Sequence, residues 1–383
     1  MRIGIDIRAL MEGRTTGVQV YILNLLAELF KIDPKNHYVL FANSFRRTGL
    51  PKFDALNIEV KITRYPNKIF NFLQRFFGWP RIDKLIGPID LFFSPHWRAL
   101  AIDKNTPLVV TFHDLSFETV PEFYTLWKRV WHWLMGYRQV ARHADRIIAV
   151  SENTKKDLVD LYQIPDSKIK VIYPGSPVIA TPHLMRGKQS REIAAPLGGL
   201  EARNDNDRYF LYFGTFEPRK NLGVLLMAYE QYHKISQKKR RLVLAGSRGW
   251  KTRLEIPQPI VSQILIRQNV SEAEKISLYQ NAYCFIFPSF YEGFGFPILE
   301  AASAGAPVIA SFATSVAEIG HDFAVLVNPF RPQQLARAML ELETNPEYYN
   351  HLKTRGLATA GEFTWAKTAH KVLELFTQYA YRH

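Results

Sequence analysis

Two carboxylates bracket a glycine-rich turn in FPSFYEGFGFPILEAASAGAP, the stretch from Phe287 to Pro307. Glu292 and Glu300 flank this turn, with seven residues between them. An ionised carboxylate only accepts hydrogen bonds, and its two oxygens suit a pair of adjacent hydroxyl groups such as a sugar supplies. The pair therefore indicates a ligand rich in hydroxyl groups. A loop with a capping acid is the structural alternative.

The turn also predicts an anion site at the start of a short helix. Gly293 and Gly295, with Phe294 between them, allow the backbone to approach a ligand closely. A proline suited to the first helical turn follows. The N–H groups of Ile298 and Leu299 are then expected to be free at the positive end of the helix dipole, where phosphate binds. A ligand that carries hydroxyl groups beside phosphates is typically a nucleotide sugar.

A second motif, FGTFEPRKN, supplies positive charge. Arg219 and Lys220 follow a predicted strand and precede a predicted helix. Cations at a helix start oppose the helix dipole, so another purpose is expected. Arginine grips phosphate oxygens as a fork and lysine acts as a compact charge. A solvated basic pair is the alternative.

Short β-branched or aromatic runs alternate with helical stretches along the whole chain, which predicts two doubly wound, Rossmann-like parallel-sheet domains in tandem. We expect an N-terminal domain at 1–178, a connection at 179–207, a C-terminal domain at 208–365 and a final helix at 366–383 that packs back on the N-terminal domain. Ligands of such sheets bind at the carboxyl ends of the strands. The two sheets are expected to face each other across a cleft.

Composition narrows the class of protein further. The chain of 383 residues is 47% hydrophobic, carries a net charge of +14 and has one cysteine. A single cysteine fits a reducing compartment, and the charged first strand is unlike a signal peptide, so a cytoplasmic protein is expected. The positive charge fits nucleic acid, an anionic membrane face or an anionic substrate. No nucleic-acid motif accompanies it.

Two N-terminal motifs could contribute to the same chemistry. Gly17, in TGVQVYILNLL, heads a predicted helix where a glycine lets the backbone approach a phosphate; a plain turn explains it as well. His113, in TFHDL, sits at a strand end where it could bond a sugar hydroxyl. A structural histidine is the alternative.

These motifs, with LAGSRGW and the late FTW, resemble the retaining nucleotide-sugar glycosyltransferases of family four, which have the GT-B fold. The resemblance covers nearly the whole chain. It implies that Glu292 lies by the donor sugar, that Glu300 binds the nucleotide ribose and that Arg219 and Lys220 hold the diphosphate. It further implies that Gly17 approaches the diphosphate and that His113 contacts the donor sugar. Thr215 stands where many relatives carry an arginine, which leaves one cation fewer for the leaving group.

The resemblance implies metal-independent glycosyl transfer with retention, from a nucleotide diphosphate sugar as co-substrate and without a further cofactor. GDP-mannose is the first expectation for the donor, and a glycan or lipid-linked acceptor in cell-surface polysaccharide synthesis is the expected acceptor. The alternatives are a non-catalytic sugar-nucleotide-binding protein and a polyanion-binding protein. A phosphorylase or epimerase is less compatible with the chain. Asp205-Asn206-Asp207 lies in the polar connection and is interpreted as exposed rather than as a metal site.

Two predicted helices of the N-terminal domain, near Lys68–Leu85 and Tyr124–Ala144, mix tryptophan and phenylalanine with lysine and arginine. Interfacial helices have this composition. One hypothesis is that the domain rests on an anionic inner membrane face. The alternative is that the aromatic residues pack against the sheet. The six residues concerned are Phe72, Phe76, Trp79, Trp127, Trp131 and Trp133.

Overall fold

The computed structural model describes residues 1–12, 16–45, 49, 53, 55–176, 207–251 and 254–379. The chain divides into two compact units. Unit 1 comprises Met1–Gly175 and Thr364–His383, and unit 2 comprises Ser176–Phe363. Apart from Asp207, the connection expected at 179–207 lies outside the described residues. Asp205 and Asn206 of the Asp-Asn-Asp sequence lie outside them too.

Unit 1 is built on a parallel sheet of seven strands in the order β3-β2-β1-β4-β5-β6-β7. The strands are β1 (Arg2–Asp6), β2 (His37–Asn43), β3 (Ile58–Thr63), β4 (Leu91–Ser94), β5 (Leu108–Phe112), β6 (Arg146–Ala149) and β7 (Ile169–Val171). The helices are α1 (Gly17–Ile32), α2 (Asn67–Phe77), α3 (Ile82–Ile86), α4 (Ser116–Thr119), α5 (Leu126–Met135), α6 (Tyr137–His143) and α7 (Glu152–Tyr162). The strand order reverses between β1 and β4, so the ligand-binding crevice of this sheet is expected at the carboxyl ends of these two strands.

Unit 2 repeats the architecture with six parallel strands in the order β10-β9-β8-β11-β12-β13. The strands are β8 (Tyr209–Phe213), β9 (Leu242–Ala245), β10 (Ile264–Arg267), β11 (Ala282–Phe287), β12 (Val308–Ser311) and β13 (Ala324–Val327). The helices are α8 (Leu222–Ile235), α9 (Glu272–Asn281), α10 (Phe296–Ser303), α11 (Thr314–Gly320), α12 (Pro332–Thr344) and α13 (Pro346–Glu362). Every residue of β9, β11 and β12 is buried, as expected for parallel strands covered on both faces. Here the order reverses between β8 and β11.

The last helix, α14 (Trp365–Thr377), belongs to unit 1 and packs on α1. Thr364 caps it by accepting a hydrogen bond from the Lys367 amide. The Trp365 ring meets Tyr21 of α1 edge-on at 5.8 Å, and Phe376 meets Phe93 of β4 at 5.2 Å. The chain therefore begins and ends in the same unit.

Each of the two aromatic-basic helices expected in the N-terminal part is broken at a glycine. Gly78 ends α2 with a φ of 61°, and Gly136 separates α5 from α6 with a φ of 66°. A left-handed backbone at this position terminates a helix, and glycine adopts it without strain. The prediction of two continuous helices was therefore wrong.

The sequence left open whether the aromatic residues of these helices pack against the sheet, and their exposure contradicts that alternative. Phe72, Phe76 and Trp79 are at least half exposed, and Trp127 and Trp133 are 74% and 78% exposed. Trp131 is 38% exposed. All six side chains therefore lie at the surface of unit 1.

Candidate functional site

The loops that follow β8 and β11 meet at the point in unit 2 where the strand order reverses. The Phe290 amide donates to the Arg219 carbonyl at 2.9 Å. Asn221 adds a further link, since its side-chain amide donates to the carbonyl of Pro288, after β11, at 3.0 Å and to that of Pro329, after β13, at 2.6 Å. Asn221 has a φ of 60°, which asparagine tolerates better than most residues. These bonds hold FGTFEPRKN against the Glu292 turn.

Arg219, Lys220 and Glu292 form one buried cluster at this edge. Arg219 Nη1 lies 2.9 Å from Glu292 Oε2, and Lys220 Nζ lies 2.6 Å from Glu292 Oε1. Although burial acts in the opposite direction, the positive charges of Arg219 and Lys220 lower the pKa of Glu292. Glu292 is therefore a carboxylate at neutral pH. Sequence reasoning placed these three residues together without foreseeing that they pair directly.

A fourth charged residue completes the cluster and was missed from the sequence. Glu217 accepts from Arg219 Nε at 2.9 Å and lies 2.6 Å from its Nη2. The side chain of Glu217 is 4% exposed. Its position two residues before Arg219 in the same motif was the available signal. Two cations and two carboxylates thus balance here, so an anionic ligand has to share Arg219 and Lys220 with Glu292.

The Glu292 turn is held from the opposite side by α11. The Glu292 amide donates to Thr314 Oγ1 at 3.0 Å, and Ser315 Oγ donates to the Glu292 carbonyl at 2.8 Å. Phe294 is buried and meets the rings of Phe296 and Phe363. The backbone of Glu292 and the ring of Phe294 are therefore held in place, as a preorganised site requires.

The start of α10 differs from the sequence-based expectation. Gly295 precedes the helix with a φ of 96°, and Gly293 lies two residues earlier in the turn. The Ile298 amide donates to the Gly295 carbonyl at 3.1 Å, so the prediction that this N–H is free was wrong. The first turn of α10 is tight enough for the Ile298 amide to bond the carbonyl three residues earlier. Both Ile298 and Leu299 are fully buried.

Glu300 lies in a separate polar group with two residues of α9. Lys275 Nζ lies 2.6 Å from Glu300 Oε1, and Tyr279 Oη donates to Glu300 Oε2 at 2.9 Å. Lys275 and Tyr279 are four residues apart and share a helix face. Despite burial, the charge of Glu300 raises the pKa of Lys275. A carboxylate has further lone pairs, so Glu300 can still accept from two adjacent hydroxyls.

Thr215 follows β8 next to a close backbone crossing. Its Oγ1 lies 3.4 Å from Ser247 Oγ, and its carbonyl accepts from Tyr212 Oη at 3.2 Å. A Cβ at Gly246 would lie 2.0 Å from the Gly214 carbonyl oxygen. Only glycine fits there, which explains the first glycine of LAGSRGW.

The two N-terminal candidates belong to unit 1. Gly17 is the first residue of α1, and the preceding Thr16 forms a capping box with Gln19. His113 follows β5, and its Nε2 lies 2.8 Å from the Pro95 carbonyl. A carbonyl only accepts, so Nε2 carries the proton and Nδ1 is left as an acceptor. Burial lowers the pKa of His113, and its ring meets Tyr21 of α1 edge-on at 4.8 Å.

Two family models match the chain, one to each half. Residues 15–178 match the model described as Glycosyltransferase Family 4, and residues 200–359 match Glycosyl transferases group 1. The O-antigen chain mannosyltransferase B of Escherichia coli is 29% identical over 74% of this chain and 72% of its own length. The serotype-specific mannosyltransferase WbdA of the same organism is 29% identical over 61% of this chain. That match spans 29% of WbdA, so the chain corresponds to less than a third of this relative.

Solved structures of similar fold cover nearly the whole chain. HepE from Anabaena, solved with UDP and glucose, has a TM-score of 0.68 at 17% identity and covers 99% of this chain and 100% of its own. WaaG, a glycosyltransferase involved in lipopolysaccharide biosynthesis, has a TM-score of 0.67 at 14% identity, covering 98% and 99%. With two parallel sheets of seven and six strands, these matches confirm the expected GT-B fold class.

Proposed function

Because the chain belongs to the glycosyltransferases of Family 4 and group 1, we propose that it transfers a hexose with retention from a nucleotide diphosphate sugar. GDP-mannose is the donor proposed first, and a glycan or lipid-linked acceptor in cell-surface polysaccharide synthesis receives the sugar. Support for mannose comes from relatives that are named as mannosyltransferases. HepE, solved with UDP and glucose, supports a nucleotide sugar as the donor class.

The Arg219–Lys220–Glu292 cluster is the observation that carries this proposal. Cleavage of the donor's glycosidic bond leaves negative charge on the departing diphosphate. Fixed cations stabilise that charge without reorganisation, and a buried site strengthens the interaction. In this mechanism Arg219 and Lys220 hold the diphosphate. The departing phosphate oxygen accepts the proton of the acceptor hydroxyl, so no separate base is required.

The carboxylates take the parts of the donor that carry hydroxyl groups. Glu292, held ionised between two cations, accepts from the hexose beside the diphosphate. Glu300 accepts from the two ribose hydroxyls while Lys275 and Tyr279 keep its side chain in one orientation. Gly17 and His113 are assigned to the diphosphate and the donor sugar by the same proposal. His113 would accept a hydrogen bond from a sugar hydroxyl through Nδ1, because its Nε2 bonds the Pro95 carbonyl.

A sugar-nucleotide-binding protein without transfer activity is the second candidate. Thr215 in place of an arginine favours it, as do the two carboxylates that already neutralise Arg219 and Lys220. Both features weaken the attraction of the site for a leaving diphosphate. Turnover of the donor separates the two functions.

The first experiment is a thermal-shift comparison of GDP, UDP, ADP and dTDP sugars without metal. Wild type, Glu300→Ala and Glu341→Ala are compared, the last because Glu341 is exposed on α12. Stabilisation by one nucleotide class that Glu300→Ala loses and Glu341→Ala keeps supports the donor site. Release of the free nucleotide from that donor then favours the transferase, and NMR of the product's anomeric proton tests retention. Failure of every donor to bind contradicts the proposal.

A peripheral location on an anionic inner membrane face is part of the proposal. Ten large apolar residues with 38% to 78% of their surface exposed lie on α2, on α5 and just beyond α2. They are Ile69, Phe72, Phe76, Phe77, Trp79, Leu126, Trp127, Val130, Trp131 and Trp133. Arg75 Nε donates to the Leu134 carbonyl at 3.0 Å, which joins the two helices into one surface, called here the α2–α5 face.

Charge complementarity favours lipid as the occupant of the α2–α5 face. Lys68 and Arg129 are exposed on the same helices, and Arg138 is exposed on α6 beside them. Aromatic side chains with adjacent cations suit the boundary between acidic headgroups and acyl chains. No helix in the described part of the chain has the length and apolar character to cross a bilayer. The attachment proposed is to the surface of the membrane, through the exposed aromatic and basic side chains of the α2–α5 face.

A further inference from the structure

The loop that follows β4 holds a group of side chains that the proposed transfer does not yet use. His96, Trp97 and Arg98 lie in this loop, at the carboxyl end of one of the two strands where the order of the unit 1 sheet reverses. Such crevices are where doubly wound sheets bind ligands. The His96 ring lies 5.8 Å from the ring of His113.

These residues line a cavity of about 230 Å³ within unit 1. The other walls include Trp131, His132 and Tyr137, from α5 and α6. Ligand pockets for drug-sized molecules start at roughly 300 Å³. The cavity therefore suits one small group and not a whole glycan.

The aromatic side chains that line the cavity pack against neighbouring rings. Trp97 lies 4.0 Å from Tyr137 between ring centroids, and His132 stacks on Phe117 at 4.6 Å with 4° between the ring planes. Trp97 and His132 approach to 6.2 Å. Aromatic walls next to fixed polar groups are typical of a binding pocket.

Three buried ring nitrogens at this cavity have no partner among the described groups of the protein. They are His96 Nδ1, Trp97 Nε1 and His132 Nδ1. A buried polar group without a hydrogen bond is unfavourable, and several together call for an explanation. A ligand that brings hydrogen-bonding groups between these rings supplies one.

The charge state of the imidazoles indicates the kind of ligand. Burial, with the nearby charge of Arg98, lowers the pKa of His96, and burial lowers the pKa of His132 to about 4. Both rings are neutral at pH 7, so each offers one N–H donor and one nitrogen acceptor. A hydroxyl group, which also donates and accepts, matches this pattern. An anionic ligand fits less well, because Arg98 is the one cation among the described residues that line the cavity.

We propose that this cavity binds one sugar ring of the acceptor, with the apolar face of the ring on Trp97 and its hydroxyls bonded to His96, Trp97 and His132. This inference rests on the proposed function, because it names the acceptor's chemistry for that transfer. It also fits a lipid-linked acceptor, since Asn71 of α2 and Trp131 of α5 belong to the cavity lining and to the helices of the α2–α5 face.

The test measures binding of a panel of methyl glycosides of common hexoses and deoxyhexoses by saturation-transfer NMR. The variants are His96→Phe and His132→Phe, the second of which retains a ring to stack on Phe117. The control is His370→Phe, at an exposed position on α14 of the same unit. We expect wild type and the control to bind at least one glycoside, and both cavity variants to bind it at least tenfold more weakly. Donor binding by thermal shift should be the same in all four proteins.

The proposal is overturned if no glycoside binds to wild type, or if both cavity variants bind as wild type does. Should a variant fail to fold, the wild-type imidazole resonances of His96 and His132 answer the question, because a bound glycoside must shift them. Unshifted resonances at saturation overturn the proposal as well. If wild type binds a glycoside but no nucleotide sugar, the proposed transfer is contradicted and the assignment of the cavity still holds.

Discussion

Arg219 is clamped between two carboxylates: its Nη1 lies 2.9 Å from Glu292 Oε2, while Nε and Nη2 face Glu217 Oε1. The guanidinium plane is therefore oriented before any ligand arrives. Charge-assisted hydrogen bonds from three guanidinium nitrogens to two carboxylates restrict the orientation of this plane. It makes Glu217 a positioning residue for a group that the proposed mechanism directs at the diphosphate.

Replacing Glu217 by glutamine should weaken transfer without abolishing it. Glu217→Gln keeps a side-chain oxygen that can accept from Arg219 but removes the charge that orients it, so kcat/KM for the donor should fall about 10- to 100-fold, or roughly 1.4 to 2.8 kcal/mol. Steady-state kinetics with matched thermal melts measure this. Glu230→Gln, which breaks the exposed pair with Lys234 on α8, is the control. Equal kinetics in both variants would show that Glu217 does not position Arg219.

Lys275 should matter through Glu300. Lys275→Met leaves the buried carboxylate of Glu300 without its cation and with the Tyr279 hydroxyl as its hydrogen-bond donor. The melting temperature should therefore fall, and the donor KM should rise about tenfold with little change in kcat. The double variant Lys275→Met/Glu300→Gln should recover much of the lost stability, because the uncompensated charge is gone. Purely additive melting shifts would show that the two side chains are not coupled.

Acid should destabilise unit 1 through His132. Its pKa is lowered from 6.5 to about 4 in the folded protein, so the unfolded chain binds the proton first as the pH falls. Stability should therefore decrease as the pH falls from about 6.5 to 4. His132→Phe should show a shallower decrease over this window, measured by urea unfolding at a series of pH values. Parallel curves for wild type and variant would contradict the assignment of a buried neutral ring.

Removal of divalent metal should leave transfer unchanged. In the proposed mechanism the cationic charge at the diphosphate comes from Arg219 and Lys220. Activity with the best donor after EDTA treatment and desalting should equal that before treatment. A loss of activity that Mg²⁺ or Mn²⁺ restores would show that the site requires a metal.

The α2–α5 face should bind anionic vesicles. Flotation with phosphatidylglycerol-containing and with pure phosphatidylcholine liposomes should recover the protein with the first and little with the second. Trp127→Ser with Trp133→Ser should reduce recovery several-fold, because these are the most exposed tryptophans of the face. Ile235→Ser, at an apolar position on α8 of unit 2 that is 56% exposed, is the control. Wild-type protein that floats with neither liposome would contradict the membrane proposal.

The local pattern of the sequence was enough for the fold class and for the core of the candidate site. Strands and helices each have a short side-chain repeat that is visible in the sequence. Their alternation along the chain predicted two tandem parallel-sheet units. Parallel strands end at a common edge, so Arg219 and Lys220 after one strand and Glu292 after another could be expected close together. The acid-glycine turn was itself visible as a motif.

The partners of those residues were decided by tertiary structure alone. Lys275 reaches Glu300 across 25 positions of sequence, and such a pairing depends on how α9 packs beside α10. His96 and His132 meet at one cavity only because α5 folds over the end of β4. Exposure of Trp127 and Trp133 likewise depends on which face of α5 packs against the rest of unit 1, since an aromatic-basic pattern fits a buried or an exposed face equally well. Sequence periodicity specifies the elements and their order, whereas the contacts between distant elements arise only when their surfaces pack.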